Sequence, residues 1–455
     1  MEKRPKNVIN KALLERWSNQ AREKSLVDNK LYVKYDVKRG LRDLSGRGVL
    51  AGLTQIGEVI ATAMEGDKVV PAPGQLIYRG IGIEELVRGF LSEGQFGFEE
   101  TAYLLLFGNL PNKKELGFFE RQLGDFRILK KSFIHDAILK MPSRDIMNSM
   151  ARSVLAMYSF DENPEDISIP NILRQSLQLI SVFPSLAVYG YKSLVHKYRD
   201  ESLIIHTPKR ELSTAENILH MLRPDSKYSD MEARLLDIAL VLHAEHGGGN
   251  NSSFTTHLVS SSGTDTYAVI AAAIGSLKGP RHGGANIKAV MMFEDMKKAI
   301  GDWDDDDEIR NYLMRILNKE AFDRTGLIYG IGHAVYSISD PRTAILKEYA
   351  RKVAEEKKMV KEFCLHEKVE NLAPEVITQK RKVYKGVSAN VDFYSGFVYE
   401  MMGIPPELFT PLFAVARIVG WCAHRIEEIA NGGKIIRPAY KSVAPRQKYL
   451  PMDKR

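Results

Sequence analysis

The chain has 455 residues, 44% of them hydrophobic and 27% charged, with a formal net charge of +7. That length allows two or more domains around a large core, and no apolar run approaches a membrane span. Basic residues are scattered, without the aromatic-and-basic motif of a nucleic-acid binder, so the positive balance suits an anionic small molecule instead.

The N-terminal stretch, Met1 to Arg39, is rich in Lys and Arg. It also carries Glu2, Glu15, Glu23, Asp28 and Asp36, whereas transit peptides are poor in acids. It reads as part of the mature protein: a helix over Asn10 to Ser25, then an extended segment around Leu31 to Tyr35. Strand alternation is confined to Lys68–Val70 and Leu76–Tyr78, and helical spacing prevails after them. Ala233 to Leu242 is too densely apolar for a surface helix, and Thr266 to Leu277 has the alanines of a closely packed one. The acidic run Asp302 to Glu308 predicts a loop feeding a helix N-terminus, since a calcium loop would need the EF-hand glycine and glutamate spacing. Lys347 to Lys361 reads as an exposed helix face. Leu408, Leu412, Val415, Val419, Cys422, Ile426 and Ile429 mark one face of an amphipathic helix of about six turns. The fold class is all-α. Two cysteines, Cys364 and Cys422, offer no disulfide framework and fit a reducing, cytoplasmic setting.

Candidate chemistry lies at three glycine-flanked histidine segments: His243-Ala-Glu-His246-Gly-Gly-Gly-Asn250, Pro280-Arg-His282-Gly-Gly-Ala-Asn286 and Gly330-Ile-Gly332-His333. Small neighbours at backbone breaks let a ligand approach closely. His282 falls at a helix–helix break, where the next helix's dipole disfavours imidazolium. A neutral ring there can donate a hydrogen bond to a developing enolate. The Gly330 segment lacks the third glycine and the strand of a dinucleotide fingerprint, and reads as a loop presenting backbone N–H groups. Arg342, Arg417 and Arg437 could together clamp a dicarboxylate. Asp392, between Val391 and Phe393, has the apolar setting that raises a carboxylate's pKa into the range of a base. Capping a helix that begins at Phe393 or Tyr394 is its ordinary alternative.

These segments, with Gly40-Leu-Arg-Asp-Leu-Ser-Gly, Gln75-Leu-Ile-Tyr-Arg-Gly80 and Arg437-Pro438, closely resemble the citrate synthase family over most of the chain. The resemblance implies a two-domain all-α fold and a homodimer. Residues 1–282 would form a large domain, 283–390 a small mobile domain, and 391–455 a return to the large one. It implies a catalytic trio of His282, His333 and Asp392. Oxaloacetate would be bound by His246, Asn250, His333, Arg342 and Arg417, with Arg437 from the partner subunit. The loop residues Leu327, Ile328, Gly330, Ile331 and Gly332 would cradle the coenzyme A adenine. Arg324, Lys382 or Lys385 would supply charge for its phosphates, because Ala334 and Ser337 stand where many members carry a base.

The implied reaction condenses acetyl-CoA with oxaloacetate and water to give citrate and CoA. It needs no permanently bound cofactor and no metal. Propionyl-CoA as acyl donor, the 2-methylcitrate reaction, differs by one methylene, worth about 1–3 kcal/mol in a pocket. Two other classes compete. A metal site from His243, Glu245, His246 and His257 lacks the His-Glu-x-x-His order. A catalytically idle binding protein would have no need of all three trio residues.

Overall fold

The computed structural model describes residues 11–42, 48–66, 68–280, 282–332, 335–380 and 386–454. The chain divides into two units, 1–51 with 437–455, and 52–436.

In the smaller unit a helix Lys11–Ser25 forms as expected. The extended segment expected at Leu31–Tyr35 is instead a helix, Asn29–Lys34. Asp28 caps it, its carboxylate accepting from Lys30 N–H at 2.9 Å, and Tyr35 N–H closes a turn on Leu31 O at 3.0 Å. Six residues are too few to display a 3.6-residue period, so the local cap decided the outcome. From the C-terminal segment of the same unit, Lys441 Nζ lies 5.0 Å over the Tyr35 ring.

The larger unit opens with a three-stranded antiparallel sheet, β1 (Gly57–Glu65), β2 (Lys68–Tyr78) and β3 (Ile81–Gly82), in the order β1-β2-β3. The two expected strand pieces are one strand that runs through Pro71 and Pro73. β3 pairs only with Ile77 and Tyr78, so β2 is an edge at its prolines, where a missing N–H is tolerated.

After the sheet, the regular elements among the described residues are helices, joined by loops and one isolated bridge. The helices Asp230–His243 and Thr266–Lys278 stand where the dense apolar patterns put them. Asp305 caps Asp306–Leu317, which makes the acidic run a helix entry. The segment Lys347–Lys361 is not one exposed face. Pro341–Glu356 ends there, Lys358 takes a left-handed φ of 58°, and Val360–Lys380 begins, while Ala350, Val353 and Ala354 are buried.

The helix Phe409–Ala430 departs most from its pattern, being buried continuously from Phe409 to Arg425 rather than on one face. The helices Phe98–Phe107, Ile169–Arg199, Asp230–His243, Asn251–Ser260 and Thr266–Lys278 surround it. Its buried side chains include three basic ones, Arg417, His424 and Arg425. Such groups are rarely buried without partners. A second group, Ala285–Ala299, Asp306–Leu317, Pro341–Glu356, Val360–Lys380 and Val391–Met401, packs mutually. No helix among the described residues is long and apolar enough to cross a membrane.

Candidate active site

The site is assembled where helices end. Asp230–His243 stops just short of the first glycine segment, and His243 is spent on the fold. Its Nδ1 meets Ala239 O at 2.7 Å, its ring packs edge-on to Phe413, and burial drives its pKa down to about 3. Tyr78 at the end of β2 pins the next residues. Its hydroxyl donates to Val241 O at 3.1 Å or Glu245 O at 3.0 Å and accepts from Glu245 N–H at 3.2 Å. His246 then turns back against Tyr336, ring centroids 5.5 Å apart. Asn250 caps Asn251–Ser260, its Oδ1 accepting from Ser252 N–H and Oγ–H at 3.3 and 3.0 Å.

Arg417 is fully buried on the central helix. Its Nε donates to His243 O at 2.6 Å, while Nη1 and Nη2 have no hydrogen-bond partner among the described residues. Burial pulls its pKa down to about 10; Glu245 works against that fall and the nearby Arg342 adds to it. Arg342 is buried too, but its Nε and Nη2 are already committed to Asp340, at 3.0 and 2.7 Å. Burial would lower the Arg342 pKa, but Asp340 outweighs it and holds the group above its ordinary range. Two buried guanidinium groups within each other's field attract an anion, and Arg417 still has two donors to offer it.

His282 lies in the break between Thr266–Lys278 and Ala285–Ala299, its Nε2 3.2 Å from Ser252 Oγ. The turn requires Gly283, because a Cβ there would sit 2.6 Å from Leu277 O. Its pKa falls to about 4, first from burial and then from the Arg417 charge. Both effects favour the neutral ring.

Asp392 stands in the first turn of Val391–Met401. The cap is Asn390, whose Oδ1 accepts from Asp392 N–H at 3.0 Å, so Asp392 does not cap this helix. Its carboxylate accepts no hydrogen bond from a described residue. Burial lifts its pKa to about 6, Arg342 pulling down and Asp340 pushing up. Asp340 also ties the elements together, accepting from Val391 N–H at 3.2 Å.

The loop Leu327–Gly332 is laced to the lead-in of that helix. Gly332 N–H donates to Ser388 O at 2.7 Å, Asn390 N–H to Gly330 O at 2.9 Å, and Asn390 Nδ2 to Gly332 O at 2.7 Å. Ile331 bridges Ala389, Ile328 is buried and Leu327 exposed. Gly330 has φ 80°, and a Cβ on it would meet Phe393 Cα at 2.8 Å. Arg324 is exposed, whereas Lys288 reaches Asp323 at 3.2 Å and lies beside the Tyr329 ring. His333, Lys382 and Lys385 lie outside the described residues, and Arg437 is an exposed residue of the smaller unit.

His246, His282, Arg342, Arg417 and Asp392 are thus linked, through Tyr336, Ser252 or the arginines' fields. Sequence reasoning missed Tyr78, Tyr336, Asp340 as a tie between helices, Lys288, and the buried pair of Glu245 with His424. Tyr78 lies inside a quoted motif, and Asp340 precedes Pro341-Arg342. His424 gave no signal, being one more position on an apolar helix.

The metal grouping His243, Glu245, His246 and His257 does not form. His243 faces Ala239, and Glu245 Oε1 is 3.0 Å from His424 Nε2. Burial opposes charge on both members of that pair, but their mutual attraction wins. The Glu245 pKa is lowered and that of His424 rises to about 9.

The sequence profile of the family described as "Citrate synthase, C-terminal domain" matches residues 43–439. The citrate synthase of Synechocystis sp. is 34% identical over 84% of this chain and 88% of its own. The 2-methylcitrate synthase of Shewanella oneidensis is 32% identical over 84% and 92%. Among solved structures, the ternary complex of Thermoplasma acidophilum citrate synthase with carboxymethyl coenzyme A and oxaloacetate superposes with a TM-score of 0.73. It is 27% identical and covers 91% of this chain and 98% of that one. The chain belongs to the citrate synthase family of acyltransferases and has its all-α fold.

Proposed function

We propose that this enzyme condenses acetyl-CoA with oxaloacetate, and that water then releases citrate and CoA. The observation that carries this reading is Arg417, a buried cation with two donors unpartnered among the described residues, beside Arg342 and a carboxylate of raised pKa. Oxaloacetate supplies the anion such a place requires. His246, Asn250 and Arg342 would complete its cradle, with Arg437 from the partner subunit of a homodimer. Because Asp340 occupies two Arg342 donors, Arg417 carries most of the direct clamping.

Asp392 removes a proton from the acyl methyl group. A carboxylate with a pKa near 6 is largely ionised at neutral pH yet basic enough to work. His282, neutral above about pH 4, donates to the thioester oxygen and stabilises the enol or enolate without first losing a proton. His333, by the family resemblance, polarises the ketone of oxaloacetate. The new carbon–carbon bond gives a citryl thioester, which water hydrolyses.

The loop Leu327–Gly332 is assigned to coenzyme A. Arg324, Lys382 and Lys385 are its candidate phosphate partners, and Lys288 joins them on its position beside Tyr329. Residues 283–390 are proposed as the small domain whose closure keeps water from the thioester. Free cysteines at 364 and 422 support a reducing compartment, for which the cytoplasm is our reading.

Relatives of both names make the acyl donor the open choice. Steady-state thiol release with oxaloacetate and either acetyl-CoA or propionyl-CoA decides it. A higher kcat/KM for acetyl-CoA is expected, and a clear propionyl preference reassigns the enzyme to 2-methylcitrate synthesis.

A further inference from the structure

Behind the substrate loop lies a cluster that the condensation does not use. His257 on Asn251–Ser260 faces His424 on the central helix, with Nε2 and Nδ1 3.0 Å apart. Each ring's other nitrogen meets a carboxylate: His257 Nδ1 lies 2.8 Å from Glu428 Oε2, and His424 Nε2 3.0 Å from Glu245 Oε1. Glu427 Oε2 is 3.8 Å from His424 Nδ1 and has no hydrogen-bond partner among the described residues. Its other oxygen is fixed by Gln55 N–H at 2.7 Å. One donor atom from each of His257, His424 and Glu427 lies within 4.8 Å of the others.

We infer that His257 Nε2, His424 Nδ1 and a Glu427 oxygen form a binding site for a divalent transition-metal ion of the zinc class. Two imidazoles and a carboxylate are an ordinary ligand set for such an ion. The outer contacts are what set this cluster apart from a chance pair of histidines. Metal-ligating histidines characteristically donate their second N–H to a carboxylate, which fixes the tautomer and leaves the inner nitrogen's lone pair for the metal. Both rings have that arrangement.

Charge points the same way. Three carboxylates, Glu245, Glu427 and Glu428, surround two imidazoles in a largely buried place, with Arg417 and Arg79 the nearby cations. Without metal, the facing nitrogens can share one proton. The ion would take that proton's place, and the proton would leave to solvent.

The site adjoins the substrate loop. Glu245 immediately precedes His246, and a Cβ on Gly248 would lie 3.5 Å from both His257 Nε2 and His424 Cε1. An ion here would join the Gln55 segment, Asn251–Ser260 and the central helix behind the oxaloacetate cradle. Its role is to brace the loop rather than to take part in bond making.

The test is chelator-stripped protein titrated with cobalt(II) and with zinc(II), read by equilibrium dialysis and cobalt visible absorption. One ion per chain is expected for the wild type, with the bands of a low-coordinate cobalt site. His257→Gln should lose that uptake. Glu428→Gln removes only an outer contact on a partly exposed carboxylate and should weaken binding about 10- to 100-fold. Absence of saturable uptake by the wild type overturns the site, as does wild-type affinity in either variant. Circular dichroism of each variant establishes that a lost ion reflects a lost ligand and not a lost fold.

Discussion

Replacing Arg417 with methionine separates binding from stability in opposite directions. Among the described residues the side chain makes one hydrogen bond, Nε to His243 O at 2.6 Å, and two of its nitrogens have no partner. Charge-assisted hydrogen bonds are worth about 1.5–3 kcal/mol each, so two donors to a substrate carboxylate supply about 3–6 kcal/mol. Oxaloacetate binding should therefore weaken by about two to four orders of magnitude.

Stability should respond otherwise. A pKa lowered from 12.5 to about 10 means that folding works against this charge. Replacing a buried ion with an apolar chain of similar volume is often neutral or stabilising. Against that stands the lost partner of His243 O, about 1 kcal/mol, and Glu245's lost neighbour, which still has His424 at 3.0 Å. The expected result is a Tm equal to or above that of the parent, without the upward shift that oxaloacetate gives the parent. Isothermal titration calorimetry and differential scanning calorimetry read the two halves. A variant that binds oxaloacetate like the parent, or melts well below it while still binding, refutes the reasoning.

The base should show itself in the pH profile. kcat/KM is expected to fall below about pH 6 as Asp392 takes up its proton, and Asp392→Asn should abolish thiol release while calorimetry still detects oxaloacetate binding. A profile flat down to pH 5 would remove Asp392 from its role. Buried Glu232 closes the capping box with Ser229 and holds Arg223 bidentately at 2.9 and 2.7 Å, with Lys357 at 2.6 Å. Burial pushes its pKa up, but these partners outweigh it and hold it at about 2. A folded pKa below the unfolded value stabilises above about pH 4.5, and that stability is lost as pH falls towards 2. Glu232→Gln should cost about 3–5 kcal/mol at pH 7 and less in acid, by urea denaturation across pH. Gly396→Ala would put a Cβ 2.5 Å from Val290 Cγ2 and 3.0 Å from Asn286 O. Overpacking of this kind costs about 1–3 kcal/mol. A lower Tm and a lower kcat are expected, since the helix that moves carries Asp392, and an unchanged Tm would count against the close approach.

Much of the site could be read in the chain. Histidines between glycines mark places where helices stop and side chains face open space, and glycine is needed there for reasons visible locally. Gly283 and Gly330 have neighbours too close for a Cβ. The apolar spacing likewise placed Asp230–His243 and Thr266–Lys278 to within a few residues. What spacing could not reveal is what lies on the far side of a helix. Phe409–Ala430 has a one-sided pattern yet is enclosed by other helices, so its polar residues are buried rather than forming a solvated face.

The sequence by itself determined the family, the helical class and the residue types proposed for the chemistry, because those depend on local composition and order. Only the tertiary structure decided their states. It committed Arg342 to Asp340 and left Arg417 with two donors unpartnered among the described residues. It assigned the cap to Asn390, leaving the Asp392 carboxylate without a hydrogen bond from any described residue, and it made His282 neutral chiefly by burial. It paired Glu245 with His424, 179 residues away. Burial and distant charges set a pKa or free a donor, and neither can be read from residues adjacent in the chain.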